Sequence, residues 1–318
     1  KIEKQEPGLT ESLLEKAGEL GLLGLAIPEE YGGMGKDFNT NSLLVENMAK
    51  ARSFSLSVGA HIGIGTLPIV YFGNEQQKSH YLPKLASGEL KACYCLTEPS
   101  SGSDALGAKT TAMLNAEGTH YIVNGQKMWI TNSGFADVFI VFCQIDGDKF
   151  SCLILEKGME GLTLGAEEKK MGIKGSSTRQ VFLENVKVPK ENLLGEIGKG
   201  HLIAFNILNI GRYKLAVGVL GGSKSVIEQS VKYAVERQQF KVPIASFGAI
   251  QYKIAEMATR VYALQSACYR ACDMIDNKEK ELVAHGKAYQ EAVMQAAEEY
   301  AIECSLLKFI GSEVLDYC

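Results

Sequence analysis

Apolar positions recur at helical spacing from residue 10 to residue 93, where Leu13, Leu14, Ala17 and Leu20 form one stripe and Ser12 with Glu15 reads as a capping box. "IPEEYGGMGKD" interrupts that period, "NSLLVENMAKA" restores it, and "NEQQKSHYLPKLASGE" predicts a polar helix closed by a proline-bearing turn. From Tyr94 the period falls to two. "HYIVNGQKMWIT" predicts two short strands about an Asn124-Gly125 turn, "VFIVFCQIDGDKFSCLILE" a hairpin about Asp146-Gly147, and "RQVFLENVKV" a further strand before Pro189. After Gly200 the helical period returns in three long segments, Ile203 to Phe240, Ile250 to Ile275 and Glu281 onward, separated by "KVPIASFG" and "DNKEKE". The pattern predicts an α+β multidomain chain: an N-terminal α-helical domain over 1–93, a middle antiparallel β domain over 94–200, and a helical bundle over 201–318 whose last member lies outside these residues.

Composition narrows the function classes. With 46% hydrophobic residues, seven Pro and a formal charge of -4, the chain has no basic excess to recruit nucleic acid. No run of about 18 apolar residues is unbroken by charge or Gly, so no membrane span is expected, and "KIEKQEPG" does not read as a signal peptide. Eight Cys occur without CxxC or a nearby His at ligand spacing, which predicts reduced core thiols and no metal site. GxGxxG after a strand, GxxxxGK[ST], HExxH and GxSxG are all missing. Any nucleotide must therefore be held by something other than a Rossmann turn or a P-loop.

The candidate chemistry starts at "YCLTEPSSGSD", Tyr94 to Asp104, which by composition alone is a Ser/Gly surface turn. It is followed in order by "NGQKMWITN", by "KKMGIKGSSTRQVFLENVKVPKENLLGE" and by "YAVERQQF". That succession, covering nearly the whole chain on an α-β-α frame, resembles the acyl-CoA dehydrogenase flavoproteins. "SVGAHIGIG", "NILNIGRY" and "FGAIQYKIAEM" bring it nearest to the very-long-chain branch.

The resemblance implies an FAD-dependent α,β-dehydrogenation of acyl-CoA thioesters, with electrons passed to an electron-transferring flavoprotein. It assigns Tyr94, Cys95, Leu96, Thr97 and Ser103 to the cofactor, Thr97 at the pyrimidine end of the flavin and Ser103 at phosphate and substrate. Trp129, Ile130 and Thr131 join them: the indole covers one flavin face, and the Thr131 hydroxyl donates to N5. Arg237, Gln238 and Gln239 reach the FAD pyrophosphate of a neighbouring subunit, which implies a homodimer or homotetramer. Gly248 stands where medium-chain relatives place an FAD-contacting Gln. Asn209, Gly211 and Arg212 fall on the substrate side, and Gly211 occupies the position that carries the catalytic Glu in other branches.

The resemblance places the catalytic base, a Glu in an "EGT" segment beyond the next helix, past Cys318, so no catalytic residue is assigned. Glu98, in the flavin motif, is read as structural. Gly59, Ala60, Gly63 and Gly65 lie on the helix bordering the far end of the acyl pocket, which implies chains of roughly twelve carbons or longer at about 0.8 kcal/mol per buried methylene. Two other readings stay open: an acyl-CoA oxidase or other flavin oxidase on the same frame, and a non-catalytic assembly protein that keeps the fold.

Overall fold

The middle third does build a sheet, held largely by one strand. In the computed structural model, which describes residues 1–318, β4 (Val138–Ile145) is buried along almost its whole length, as its unbroken apolar run requires of a strand covered on both faces. The chain divides into two units, Lys1–Lys36 with Ser53–Leu208, and Asp37–Arg52 with Asn209–Cys318.

The first unit opens with helix α1 (Leu9–Glu19). Helix α2 (Phe38–Met48) belongs to the second unit. Returning to the first, α3 (Ser53–Ala60) widens into a π turn at His61–Gly65, resumes as α4 (Leu67–Phe72), and is followed by α5 (Glu75–Ser87). The strands are β1 (Ala92–Cys95), β2 (Thr111–Leu114), β3 (His120–Thr131), β4, β5 (Lys149–Glu156), β6 (Leu162–Leu164), β7 (Thr178–Pro189) and β8 (Leu193–Leu194). Their order is β6-β7-β3-β2-β4-β5-β8, with β1 also on β4. Cys93, Cys95, Val123, Phe139, Val141 and Val181 lead the buried cluster of this sheet.

Several sequence expectations change. Asn124-Gly125 is not a hairpin turn, because β3 runs unbroken through it. A Cβ at Gly125 would lie 2.4 Å from Thr110 Oγ1, so the glycine serves close approach inside the strand. The neighbouring irregularity sits on β7, where Asn185 has φ 53° and donates its N–H to Asn124 Oδ1 at 2.8 Å. The Asp146-Gly147 hairpin does form, with both residues at positive φ. Ser12 lies inside α1, whose N-cap is Gly8. The capping box is instead Asn74 with Gln77, whose backbone N–H groups and side-chain oxygens pair at 2.9 and 3.1 Å. Pro83 is inside α5, and Gly88 at φ 77° ends that helix. The stretches Ser53–Phe72 and Gly200–Glu236 are long and apolar enough to cross a membrane, contrary to expectation, but 78% of the first window and 50% of the second are buried in the protein.

In the second unit, α6 (Gly200–Glu236, its opening turns counted with the first unit) leads through the short hairpin β9 (Gln238–Gln239) and β10 (Val242–Pro243) to α7 (Gly248–Ala284), α8 (Tyr289–Glu299) and α9 (Ala301–Tyr317). "DNKEKE" does not break α7. Asp276 within it accepts from the N–H groups of Phe38 and Asn39, at 3.2 and 3.3 Å, and so caps α2 from outside the helix. The bundle has two helices of 37 residues and two shorter ones, where three long helices were expected.

His61 ties the π turn to the sheet. Its Nε2–H donates to Leu85 O at 2.9 Å, and its Nδ1 accepts from Ala92 N at 3.1 Å, an arrangement open only to the neutral ring. Burial pushes the imidazole down to about 4. A depressed histidine contributes stability that is complete above its unfolded value near 6.5 and is lost as pH falls from there to the folded value, about 3 kcal/mol in all. Urea melts of His61→Gln should therefore lose less stability between pH 6.5 and 4 than wild type; parallel curves would contradict this account.

Candidate functional site

The TEPSSGSD segment owes its shape to a gap in the pairing along β4, an interior strand of the sheet. β1 pairs in parallel with the first half of β4 (Ala92↔Val138 to Cys95↔Val141), and β2 with its end (Thr111↔Gln144, Ala112↔Ile145). Residues 96–110 leave β4 between these pairings and must return to it. Glu98 closes the excursion. Its carboxylate accepts from Lys109 N at 2.6 Å, Thr110 N at 3.1 Å and Lys127 Nζ at 2.6 Å, while its backbone exchanges hydrogen bonds with Ser101.

Both ion-pair side chains are buried, and Lys127 Nζ also donates to Leu96 O at 3.2 Å. Burial opposes the charge on Glu98, but the Lys127 ammonium and the donors around it hold the carboxyl below the usual range. The carboxylate is fully engaged in holding the loop. Lys127 itself was missed by motif reading. Its signal was a lysine on the face of β3 that otherwise carries Tyr121 and Val123.

Lys127 also links this loop to the second motif. Met128 N donates to Thr97 O at 2.9 Å. Between Lys127↔Val181 and Ile130↔Arg179, two residues of β3 oppose one of β7, a bulge that re-aims the next side chain. Trp129 there has φ 58° and is 60% exposed, although it is the only tryptophan in the chain. A left-handed non-glycine residue costs of order 1–3 kcal/mol and persists where the surroundings over-determine it.

The side chains of Tyr94, Cys95, Leu96 and Ile130 are buried. The Tyr94 ring packs tilted against Phe142, centroids 5.0 Å apart, and its hydroxyl donates to Ala204 O at 3.4 Å. At these four positions the backbone is left as the group nearest the surface of the site. The hydroxyls of Thr97, Ser103 and Thr131 make no side-chain hydrogen bond within the chain, and Gly102 has open space where a Cβ would stand. An exposed indole, uncommitted hydroxyls and a small-residue loop suit a flat heterocycle with a polar edge.

In the second unit, Asn209 and Arg212 are one turn apart on α6, and Arg212 Nη1 donates to Asn209 Oδ1 at 2.6 Å. Gly211 lies between them and supplies no base. Arg237, Gln238 and Gln239 are all exposed at the β9–β10 hairpin, whose turn residues Phe240 and Lys241 have φ 51° and 67°. Gly248 opens α7 with free space beside it. The tripeptide Glu117-Gly118-Thr119 occurs in the β2–β3 turn, where Asn115 Nδ2 donates to the Glu117 carboxylate at 2.7 Å. It lies in the β region, not beyond a C-terminal helix.

Three family models match along the chain: the N-terminal domain of acyl-CoA dehydrogenase over residues 1–89, its middle domain over 93–186 and its C-terminal domain over 198–318. A probable acyl-CoA dehydrogenase of Bacillus subtilis is 61% identical over 96% of this chain and 51% of its own length. The mitochondrial very long-chain specific acyl-CoA dehydrogenase of Homo sapiens is 40% identical over 94% of this chain and 45% of its own. The chain thus spans about half the length of these relatives. A crystal structure of an acyl-CoA dehydrogenase complexed with FAD from Bacillus anthracis superposes with a TM-score of 0.97 at 58% identity, covering 99% of this chain and 54% of that one.

Proposed function

The chain belongs to the acyl-CoA dehydrogenase family, and on that premise we propose that it holds FAD on the Thr97–Ser103 loop and the Trp129–Thr131 strand end, serving α,β-dehydrogenation of an acyl-CoA thioester. One observation carries the reading: the Met128 N to Thr97 O bond joins the two motifs directly beside an exposed indole and hydroxyls that the chain leaves free. When bound, FAD supplies the ring that accepts the hydride. The Thr131 hydroxyl would serve as the donor at the ring's accepting edge, where it would stabilise developing charge. Trp129 would cover a face of the ring and exclude water, Thr97 would hold its polar edge, and Ser103 would meet phosphate and substrate.

Asn209 orients Arg212 toward the substrate side. Arg237, Gln238 and Gln239, exposed on their hairpin, reach the pyrophosphate held by a second copy, a task suited to the guanidinium fork. The assembly is then a homodimer or homotetramer. Electrons leave to an electron-transferring flavoprotein. No residue of this chain is assigned as the base at the α-carbon.

The acyl tail is long in this reading. Cβ positions at Gly59 and Gly63 meet nothing within 4 Å, although Gly63 is buried, whereas Gly65 backs onto Ala92 at 2.9 Å and serves packing. The full-length protein assayed with an electron-transferring flavoprotein should show catalytic efficiency rising from butanoyl- to hexadecanoyl-CoA. Gly63→Gln should move the optimum to shorter chains. An optimum at four carbons that ignores the substitution would overturn the long-chain assignment, and oxygen consumption without an added acceptor would mark an oxidase instead.

A further inference from the structure

Asn132 follows the Trp129–Thr131 segment and is bound on every side but one. It is fully buried with φ 69°; its N–H donates to Ser177 O at 2.9 Å, and its carbonyl accepts from Phe135 N and Ala136 N at 3.0 and 2.9 Å. Its Nδ2 donates to Ser57 O at 2.9 Å. Ser57 lies on α3, one turn before the π turn at His61–Gly65, and within the same stretch Gly59 and Gly63 have open space beside them.

The bond crosses 75 residues of sequence and joins two parts of the first unit with different tasks: the bulged strand end and the helix with the open glycines. Asn132 Oδ1 and Ser57 Oγ, both buried, have no partner, so the side chain is kept at the expense of an unsatisfied acceptor. Asparagine is among the few side chains that tolerate a left-handed backbone while offering an amide donor.

We infer that Asn132 is a positioning residue that fixes the acyl-binding helix at a set distance from Trp129 and Thr131. This rests on the function proposed above. Without the amide, α3 and the strand end are free to shift relative to one another, and the acyl tail and the reacting carbons no longer register together. Small misplacements of this kind are felt in substrate discrimination more than in cofactor retention.

Two substitutions separate the backbone from the side chain. Asn132→Gly keeps the left-handed backbone and removes the amide, whereas Asn132→Asp keeps the shape and sets an acceptor against the Ser57 carbonyl. Both should retain FAD as wild type does, yet weaken hexadecanoyl-CoA by roughly tenfold or more, the scale of misfit contacts in an apolar pocket, with butanoyl-CoA little changed. Affinity is read from the spectral shift of the bound flavin. Trp129 emission from the FAD-free protein should show lower anisotropy in both variants, reporting a loosened strand end independently of any cofactor.

Wild-type chain-length discrimination and wild-type anisotropy in Asn132→Gly would overturn the inference. If Asn132→Asp does not fold, Asn132→Gly decides alone. Should the wild-type protein take up no FAD, the flavin reading fails, and the Trp129 anisotropy still settles whether Asn132 positions the strand end.

Discussion

Lys127→Met is expected to destabilise the protein by about 3–5 kcal/mol and to abolish FAD retention, because it strands the Glu98 carboxylate in a site with no other cation. The consequence is wider than a lost contact. Glu98 fixes both the start of the loop, through Ser101, and its return, through Lys109 and Thr110, so an uncompensated charge there loosens the whole Thr97–Thr110 excursion. The double variant Glu98→Gln with Lys127→Met removes both charges and should recover most of the stability, since a buried pair is worth little more than a neutral replacement of similar size. Urea melts of the two single variants and the double variant measure the coupling. Single variants within about 0.5 kcal/mol of wild type, the range of ordinary surface substitutions, would show that the pair does not organise the loop.

Thr131→Val should leave FAD binding nearly intact and slow reduction of the bound flavin by acyl-CoA tenfold or more, toward the roughly 10²–10³ typical of losing one preorganised donor. Thr131 makes no side-chain hydrogen bond within the chain, and its strand is held by the backbone, so the substitution removes a hydroxyl without disturbing the fold. Stopped-flow reduction in the full-length protein is the readout. An unchanged rate would remove Thr131 from the chemistry and leave it a wall of the site.

The order of helical and strand regions was legible because hydrophobic period depends on local sequence alone, and the family because several short segments follow one another in a fixed order. What was misread depended on distant neighbours. Asn124-Gly125 carries the local signature of a turn, but Thr110, on another segment, demands a residue without a side chain at that point in β3. "DNKEKE" looks like a linker, yet Asp276 is committed to the N-terminus of α2, and the helix continues past it. The buried ion pair escaped notice for the same reason. Lys127 and Glu98 are 29 residues apart, and nothing local in either segment pairs the two. The burial of the Tyr94, Cys95, Leu96 and Ile130 side chains was likewise not legible in the motif, because it depends on the packing of the sheet.

The central claim, that the Thr97 loop and the bulged end of β3 together make the flavin site, is tested most directly at Trp129, the chain's only tryptophan. Titrating FAD into the cofactor-free protein should quench its emission saturably, in step with the flavin absorbance retained after gel filtration. Uptake of FAD with Trp129 emission unchanged, or no uptake at all, would contradict the account.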